Sequence, residues 1–215
     1  MSTKKITISM TSFADFVVSD SLSKFSKVLA IHRQYEREYS PAADFWSRFQ
    51  QGVEGVLSSG GKPIDLDEVH KIAKDNRSTQ YLSACRGFQR FWGNRTIELI
   101  GRPKTEIWEH DRLQVKINPE LIVRIDGRAM TLKLHLKDKL TLTQRLSNPL
   151  LFLLDQKFSS ELEPRGVGIL DVHRGKLWIP GSSRKVLEPV LQMEAASFLQ
   201  GPLCQPLVRQ SALTN

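Results

Sequence analysis

The dipeptide Asp126-Gly127, set between two apolar runs, constrains the fold of this chain more than any other feature of the sequence. Asp-Gly favours a two-residue hairpin turn, because both central positions of that turn take a positive φ. Residues 121–125 before it are nearly all apolar, as in a central strand. Residues 128–137 after it alternate, with apolar side chains at Met130, Leu132, Leu134 and Leu136. The pattern predicts a β-hairpin over residues 121–137.

Further strands are expected on both sides of this hairpin. Residues 113–117 alternate apolar and polar side chains and stop at Asn118-Pro119, so we expect a three-stranded antiparallel meander over residues 113–137. The other elements expected in this half are a helix after Asn148-Pro149, a strand over residues 167–172, a turn over 173–176, a short strand over 177–179 and a helix over 186–198.

The N-terminal half has the pattern of amphipathic helices, because its apolar residues recur at intervals of three and four. The expected helices begin at Thr11, run from Ser21 to Arg37, from Ser40-Pro41 to Leu57, along residues 65–73, and from Ser78 to Gly93. The predicted fold class is therefore α+β. A helical N-terminal layer, residues 1–110, packs on a small mixed sheet with flanking helices, residues 111–205. Residues 206–215 are expected to be a frayed tail, and the whole to form one compact unit.

Basic residues outnumber acidic ones and are clustered. The chain has 31 Lys and Arg residues against 23 Asp and Glu, a net charge of +8. Residues 69–104 carry eight basic and two acidic residues, and residues 112–145 carry eight basic and three acidic residues. Such clustering is typical of proteins that bind a polyanion such as DNA or RNA. The candidate nucleic-acid-binding residues are Arg77, Arg86, Arg90, Arg95, Lys133, His135 and Lys137.

Two arrangements would bring these residues to a nucleic acid. Lys133, His135 and Lys137 share one face of the second hairpin strand, where they would meet a phosphate backbone or simply face water. The two helices around residues 74–77 also have the form of a helix-turn-helix, which would turn Arg77, Gln80, Arg86, Gln89 and Arg90 toward a groove. Two core-packing helices with those polar groups in water give the same pattern.

The sequence lacks the signatures of membrane proteins, of secreted proteins and of several enzyme families. The apolar runs fall far short of the roughly 20 residues that cross a bilayer. Asp15 and Asp20 interrupt the N-terminal segment, so we expect no signal peptide and no membrane partner. Cys85 and Cys204 cannot make a disulfide framework or a zinc site, which favours the reducing cytoplasm. The sequence has no phosphate-binding loop, dinucleotide-binding turn or serine elbow, and its five histidines have no metal-ligand spacing.

The second half also carries part of a nuclease motif. Pro119-Glu120 precedes one predicted strand, and Thr131-Leu132-Lys133 lies on the next. With the order helix, three antiparallel strands, helix, strand, these residues resemble the restriction-endonuclease core, the PD-(D/E)XK nuclease superfamily, over roughly residues 95–200. The resemblance implies a restriction-endonuclease-like fold in which Glu120 binds Mg²⁺ or Mn²⁺ and Lys133 orients or deprotonates water.

The sequence departs from that motif at Thr131, which stands where the family has a second carboxylate. A hydroxyl is a poor ligand for a hard cation. The acids that remain to complete such a site are Asp126, Asp171, Glu106 and Glu109. Asp126 already has a role as the first residue of the hairpin turn.

Three hypotheses about function follow. The first is a non-catalytic protein that binds DNA or RNA through a basic surface and needs no cofactor. The second is a metal-dependent nuclease with a rearranged site, in which Glu120, Lys133 and Asp126 are catalytic. The third is a protein-interaction or assembly subunit, a homo-oligomer included, in which the charge is incidental. Magnesium-dependent cleavage distinguishes the second from the others, and salt-dependent binding distinguishes the first from the third.

Overall fold

The computed structural model describes residues 5–36, 45–71, 78–138, 141–159, 166–181 and 186–201. The strands in these residues are β1 (Ile6–Ser9), β2 (Ile97–Gly101), β3 (Glu106–His110), β4 (Leu113–Ile117), β5 (Leu121–Ile125), β6 (Arg128–His135), β7 (Gly166–Asp171) and β8 (Lys176–Trp178). The helices are α1 (Met10–Val17), α2 (Ser21–Glu36), α3 (Ser47–Ser58), α4 (Asp67–Lys71), α5 (Ser78–Trp92), α6 (Gln144–Phe158) and α7 (Leu187–Leu199), with a short 3-10 helix at Pro63–Leu66. The predicted α+β class is confirmed.

The strands form two mixed sheets. The larger sheet has the order β2-β5-β6-β7-β8, and only its β6–β7 pair is parallel. The smaller sheet has the order β1-β4-β3, with β1 parallel to β4 and β3 antiparallel to it. Helix α6 connects β6 to β7, as a parallel pair of strands requires a long crossover.

The five-stranded sheet is covered on both faces. Leu132 and Leu134 of β6 belong to one core, which includes Phe49 of α3 and Phe88 of α5. Ile169 of β7 belongs to a second core on the opposite face, built with α1, α6, α7 and the three-stranded sheet. A strand in the middle of such a sheet buries both of its faces.

The predicted hairpin is confirmed. Asp126 and Gly127 both have a positive φ, 47° and 83°, and they join β5 directly to β6. The Asp126 backbone N–H donates to the Thr96 carbonyl at 2.9 Å, and its carboxylate accepts from the Thr96 N–H at 2.9 Å. The turn therefore also fastens the start of β2 to the sheet.

The predicted meander over residues 113–137 is wrong in its first strand. β4 pairs with β1 and β3, and β2 takes the expected place beside β5. Alternation identifies a half-buried strand but does not identify its partner. The turn between β3 and β4 is Asp111-Arg112, with a φ of 51° at Asp111, and it lacks the glycine that usually marks such turns.

The division between residues 1–110 and 111–205 also changes. β1, β2 and β3 lie in the part predicted to be helical. These strands have only four or five residues each, too few for a clear periodicity. Because β1 pairs with β4 and β2 pairs with β5, both parts of the chain contribute to both sheets. Residues 206–215 lie outside the described residues.

Two helices differ from their predicted form. α6 begins at Gln144 and contains Pro149, whereas the sequence predicts a start at the proline, because an internal proline removes a backbone hydrogen bond. On α2, Val28 is buried as expected, but Leu22 and Phe25 are 92% and 58% exposed. No helix in the described ranges is long and apolar enough to span a membrane.

Candidate functional site

Glu120 and Lys133 meet at one end of the β5–β6 pair. The Glu120 N–H donates to the Leu132 carbonyl at 3.0 Å, which continues the antiparallel register by one residue and sets Glu120 opposite Lys133. The Lys133 ammonium forms an ion pair with Glu120 Oε1 and donates to the Asn118 carbonyl at 3.0 Å. Each of the two side chains is only 13% exposed. Two of the three motif positions are thus in contact.

The remaining polar contacts of the Glu120 carboxylate are also occupied. Oε2 accepts from the Leu134 N–H at 2.6 Å, and Gln50 Nε2 of α3 lies 3.5 Å from Oε1. Burial raises the pKa of Glu120 above its ordinary value, while the Lys133 charge and the Leu134 N–H act in the opposite direction. Three protein donors therefore already surround this carboxylate, and the positive charge of Lys133 opposes the approach of a cation.

An open cleft lies beside the pair. Its volume is about 210 Å³, below the size usual for small-molecule sites, which begins at roughly 300 Å³. Glu54 and Arg102, which both line the cleft, form an ion pair with each other. The lining residues are Ser47, Gln50, Gln51, Glu54, Arg102, Pro103, Pro119, Glu120 and Leu121.

Thr131, at the third motif position, lies in the core. It is 1% exposed, opposite Ile122 on β5 and Val167 on β7. Its Oγ1 has no hydrogen-bond partner in the described part of the chain. In that same part, no three His, Cys, Asp or Glu side chains lie close enough together to hold a metal ion.

The acids that the sequence offered as replacements are elsewhere. Asp126 lies at the opposite end of β5, about 20 Å from Glu120 along the strand. Asp171 is 1% exposed and is held by Arg174, whose N–H donates to it at 3.2 Å. Glu106 and Glu109 lie on β3 in the smaller sheet, where Glu109 forms an ion pair with Lys5 at 3.1 Å.

The predicted cationic row on β6 is not an open surface. His135 is 6% exposed and lies beside residues of α1 and α6, among them Ala14 and Leu150. Lys133 is bound to Glu120, and Lys137 is half-exposed, with its ammonium 2.9 Å from Asp15. His135 is covered because α1 and α6 pack on this face of the sheet, while Lys133 and Lys137 are each paired with an acid.

Arg86, Arg90 and Arg95 are all exposed along α5 and just beyond its end. We call these three residues the α5 arginine row. Arg90 donates to the His173 carbonyl at 2.6 Å, and Arg95 donates to the Phe91 carbonyl with its guanidinium 5.2 Å from the Phe91 ring. The acceptors of these two side chains are neutral carbonyls, and within the described ranges no carboxylate pairs with any of the three arginines. Arg77 lies outside the described residues.

The turn between β7 and β8 packs directly on α5, which the sequence did not reveal. A Cβ on Gly87 would lie 1.8 Å from the Val172 carbonyl oxygen, so only glycine permits this contact. The turn adds a further cation, Arg174, which bonds to Asp171 and Thr141. A glycine within an aromatic-rich helix was the available signal.

The helix-turn-helix alternative does not fit the position of Gln89. Its amide donates to the Pro63 carbonyl at 3.1 Å and to Asp67 at 2.8 Å, so it joins α5 to the preceding helices. The connection at residues 72–77 lies outside the described residues.

No family model matches this sequence, and no curated protein matches it significantly.

Proposed function

We propose that this chain binds nucleic acid through the α5 arginine row and does not cut it. The observation that carries the proposal is that Arg86, Arg90 and Arg95 are exposed together, with no carboxylate partner in the described residues. Arg86 and Arg90 are one helical turn apart, so their guanidinium groups extend from the same side of α5. Bound phosphates would neutralise charge that the protein leaves uncompensated.

The Glu120–Lys133 pair supports the absence of catalysis. A lysine that orients water must present its ammonium to solvent or substrate, whereas Lys133 is bound to Glu120 and the Asn118 carbonyl. A catalytic Mg²⁺ is held by one or two carboxylates together with the substrate phosphates, and the Glu120 carboxylate is already paired with Lys133. Thr131 offers a neutral hydroxyl within the core.

We also propose that the fold is of the PD-(D/E)XK kind. α5, the antiparallel neighbours β2, β5 and β6, then α6 and β7 give the order helix, three strands, helix, strand, with β3 and β4 of the smaller sheet inserted between β2 and β5. Glu120 precedes the second of these strands. Lys133 lies on the third strand, and its ammonium contacts the Glu120 carboxylate. The order and the contact favour an ancestral nuclease site whose charge set is no longer complete.

The test of binding is fluorescence anisotropy with duplex and single-stranded DNA and RNA over a range of salt concentrations. We expect the affinity to fall steeply with salt, at a slope of about 0.9 per phosphate neutralised on duplex DNA. Arg86→Glu should weaken binding to all sequences alike, because phosphate contacts carry no sequence information. Arg145→Glu, which makes the same charge change at an exposed position on α6, is the matched control.

Two results would contradict the proposal. Absence of binding at low ionic strength would leave the basic surface without a polyanionic partner and favour an assembly subunit. An equal loss of affinity in Arg86→Glu and Arg145→Glu would show a general charge effect rather than a site on α5. The same nucleic acids incubated with Mg²⁺ or Mn²⁺ should stay intact, and cleavage would favour the nuclease instead.

A further inference from the structure

An apolar surface remains uncovered on two neighbouring helices. Eight large apolar side chains are exposed in the described residues, and five of them lie on α2, on α7 or at the α7 N-cap. We call these five the α2/α7 apolar surface: Leu22, Phe25, Val186, Val190 and Met193. Met193 is 73% exposed. Exposed apolar side chains gathered on neighbouring helices indicate a site of association.

Two contacts join α2 to α7, and one of them is made by the residues that directly precede Phe25 and follow Met193 in the chain. The Lys24 ammonium contacts the Glu194 carboxylate at 2.5 Å, and the His32 ring stacks on Phe198 with centroids 6.1 Å apart. Spacings of three and four residues keep the apolar side chains of each helix on one side. Both stripes lie toward the N-terminal ends of their helices.

The charges on the two helices are complementary. α2 contains Lys24, Lys27 and Arg33 against a single acid at its last residue, Glu36, whereas α7 contains two glutamates and no Lys or Arg. Lys24 already pairs with Glu194 in the same copy. Lys27, Arg33 and Glu188 form no ion pair with any other residue that the structure describes. A basic helix and an acidic helix are therefore available to a partner with the same two features.

We propose that the α2/α7 apolar surface is a two-fold interface between two copies of this chain, with α2 of each copy against α7 of the other. In a two-fold dimer the basic helix of each copy meets the acidic helix of the other copy. The charge complementarity therefore occurs twice in the interface. The apolar side chains form the centre of the interface, and the unpaired charges form its rim. α5 packs on the opposite face of the five-stranded sheet, so the α5 arginine row of both copies stays exposed.

The test is sedimentation velocity of the full chain over concentrations from roughly 1 to 100 µM. We expect a species of twice the 24.5 kDa chain mass. Met193→Glu and Phe25→Glu should each raise the dimer Kd at least about tenfold, because a charge enters the apolar centre. Ile64→Glu, at a side chain 65% exposed in the 3-10 helix, is the matched control and should leave the Kd unchanged. Circular dichroism checks that every variant is folded.

Exchanging one charge of α2 with one charge of α7 tests how α2 of one copy is oriented against α7 of the other. Arg33→Glu and Glu188→Arg should each weaken the dimer several-fold, and the double variant should recover most of the loss. A wild-type chain that stays monomeric at every concentration would overturn the proposal. That result is expected if another protein or residues 202–215 cover this surface. Equal dissociation by Ile64→Glu and Met193→Glu would overturn it as well.

Discussion

Glu120 and Lys133 meet because one hydrogen-bond register sets them on facing positions of neighbouring strands. The sequence predicts this pair, since the two residues match two positions of a known motif. It does not predict the burial of Thr131 and His135 on the same face of β6. Thr131 is buried between β5 and β7, and His135 lies beside α1 and α6. These neighbours leave no mark on the local pattern of β6.

The raised pKa of Glu120 predicts a specific pH dependence of stability. Between the ordinary pKa of 4.5 and the raised value, the folded chain binds more protons at Glu120 than the unfolded chain. The stabilisation is therefore full below pH 4.5 and is lost as the pH rises through the raised pKa. We expect the wild type to lose stability relative to Glu120→Gln over this range, measured by urea unfolding at several pH values. A relative gain with rising pH would mean that Lys133 outweighs burial.

Thr131 offers a test of the unpaired hydroxyl. Valine has nearly the same shape and removes the buried oxygen that has no partner in the described residues. We expect Thr131→Val to raise the free energy of unfolding by about 1 kcal/mol, since an unsatisfied polar group in the core is costly. The urea midpoint measures this, with Thr96→Val at an exposed position as control. A lower midpoint would reveal a partner for the hydroxyl and weaken the interpretation of a lost site.

Among the elements, α5 illustrates what local sequence determines. Its predicted start at Ser78 and its end beside Gly93 agree with the structure, because an apolar period and a terminal glycine mark the helix. The strand β4 was equally clear in pattern, but its partners were not. Strand pairing joins segments as far apart as β1 and β4, and a run of alternating residues fits several neighbours equally well.

The contact between α5 and the β7–β8 turn predicts that Gly87→Ala is strongly destabilising. The new Cβ would lie 1.8 Å from the Val172 carbonyl oxygen, so the helix or the turn must move. We expect a loss of about 3 kcal/mol in the free energy of unfolding. Gly55→Ala is the control, because that helical glycine has open space around its missing Cβ and alanine is the better helix former. Similar midpoints for the two variants in urea would contradict this packing.

For the whole molecule, the two cores on either side of the five-stranded sheet decide which basic residues reach solvent. The sequence predicts the charge excess and both basic segments. It cannot distinguish the β6 row, in which His135 is buried and both lysines are paired with acids, from the α5 arginine row, which stays exposed. That distinction depends on the layer order of the complete fold. The sequence therefore predicts that the chain carries excess basic residues, but not which of them lie together on the surface.

β1 pairs with β4 across a long stretch of chain, since Thr7 lies opposite Gln114, 107 residues later. At the usual rate of synthesis, β1 leaves the ribosome about 5 to 20 seconds before its partner strand. During that interval the backbone of β1 and the side chain of Ile8, which is buried in the folded protein, lack the neighbour that covers them. An unpaired apolar strand can recruit strands of other chains. In a nascent chain β1 is thus protected only after the residues up to β4 have been made.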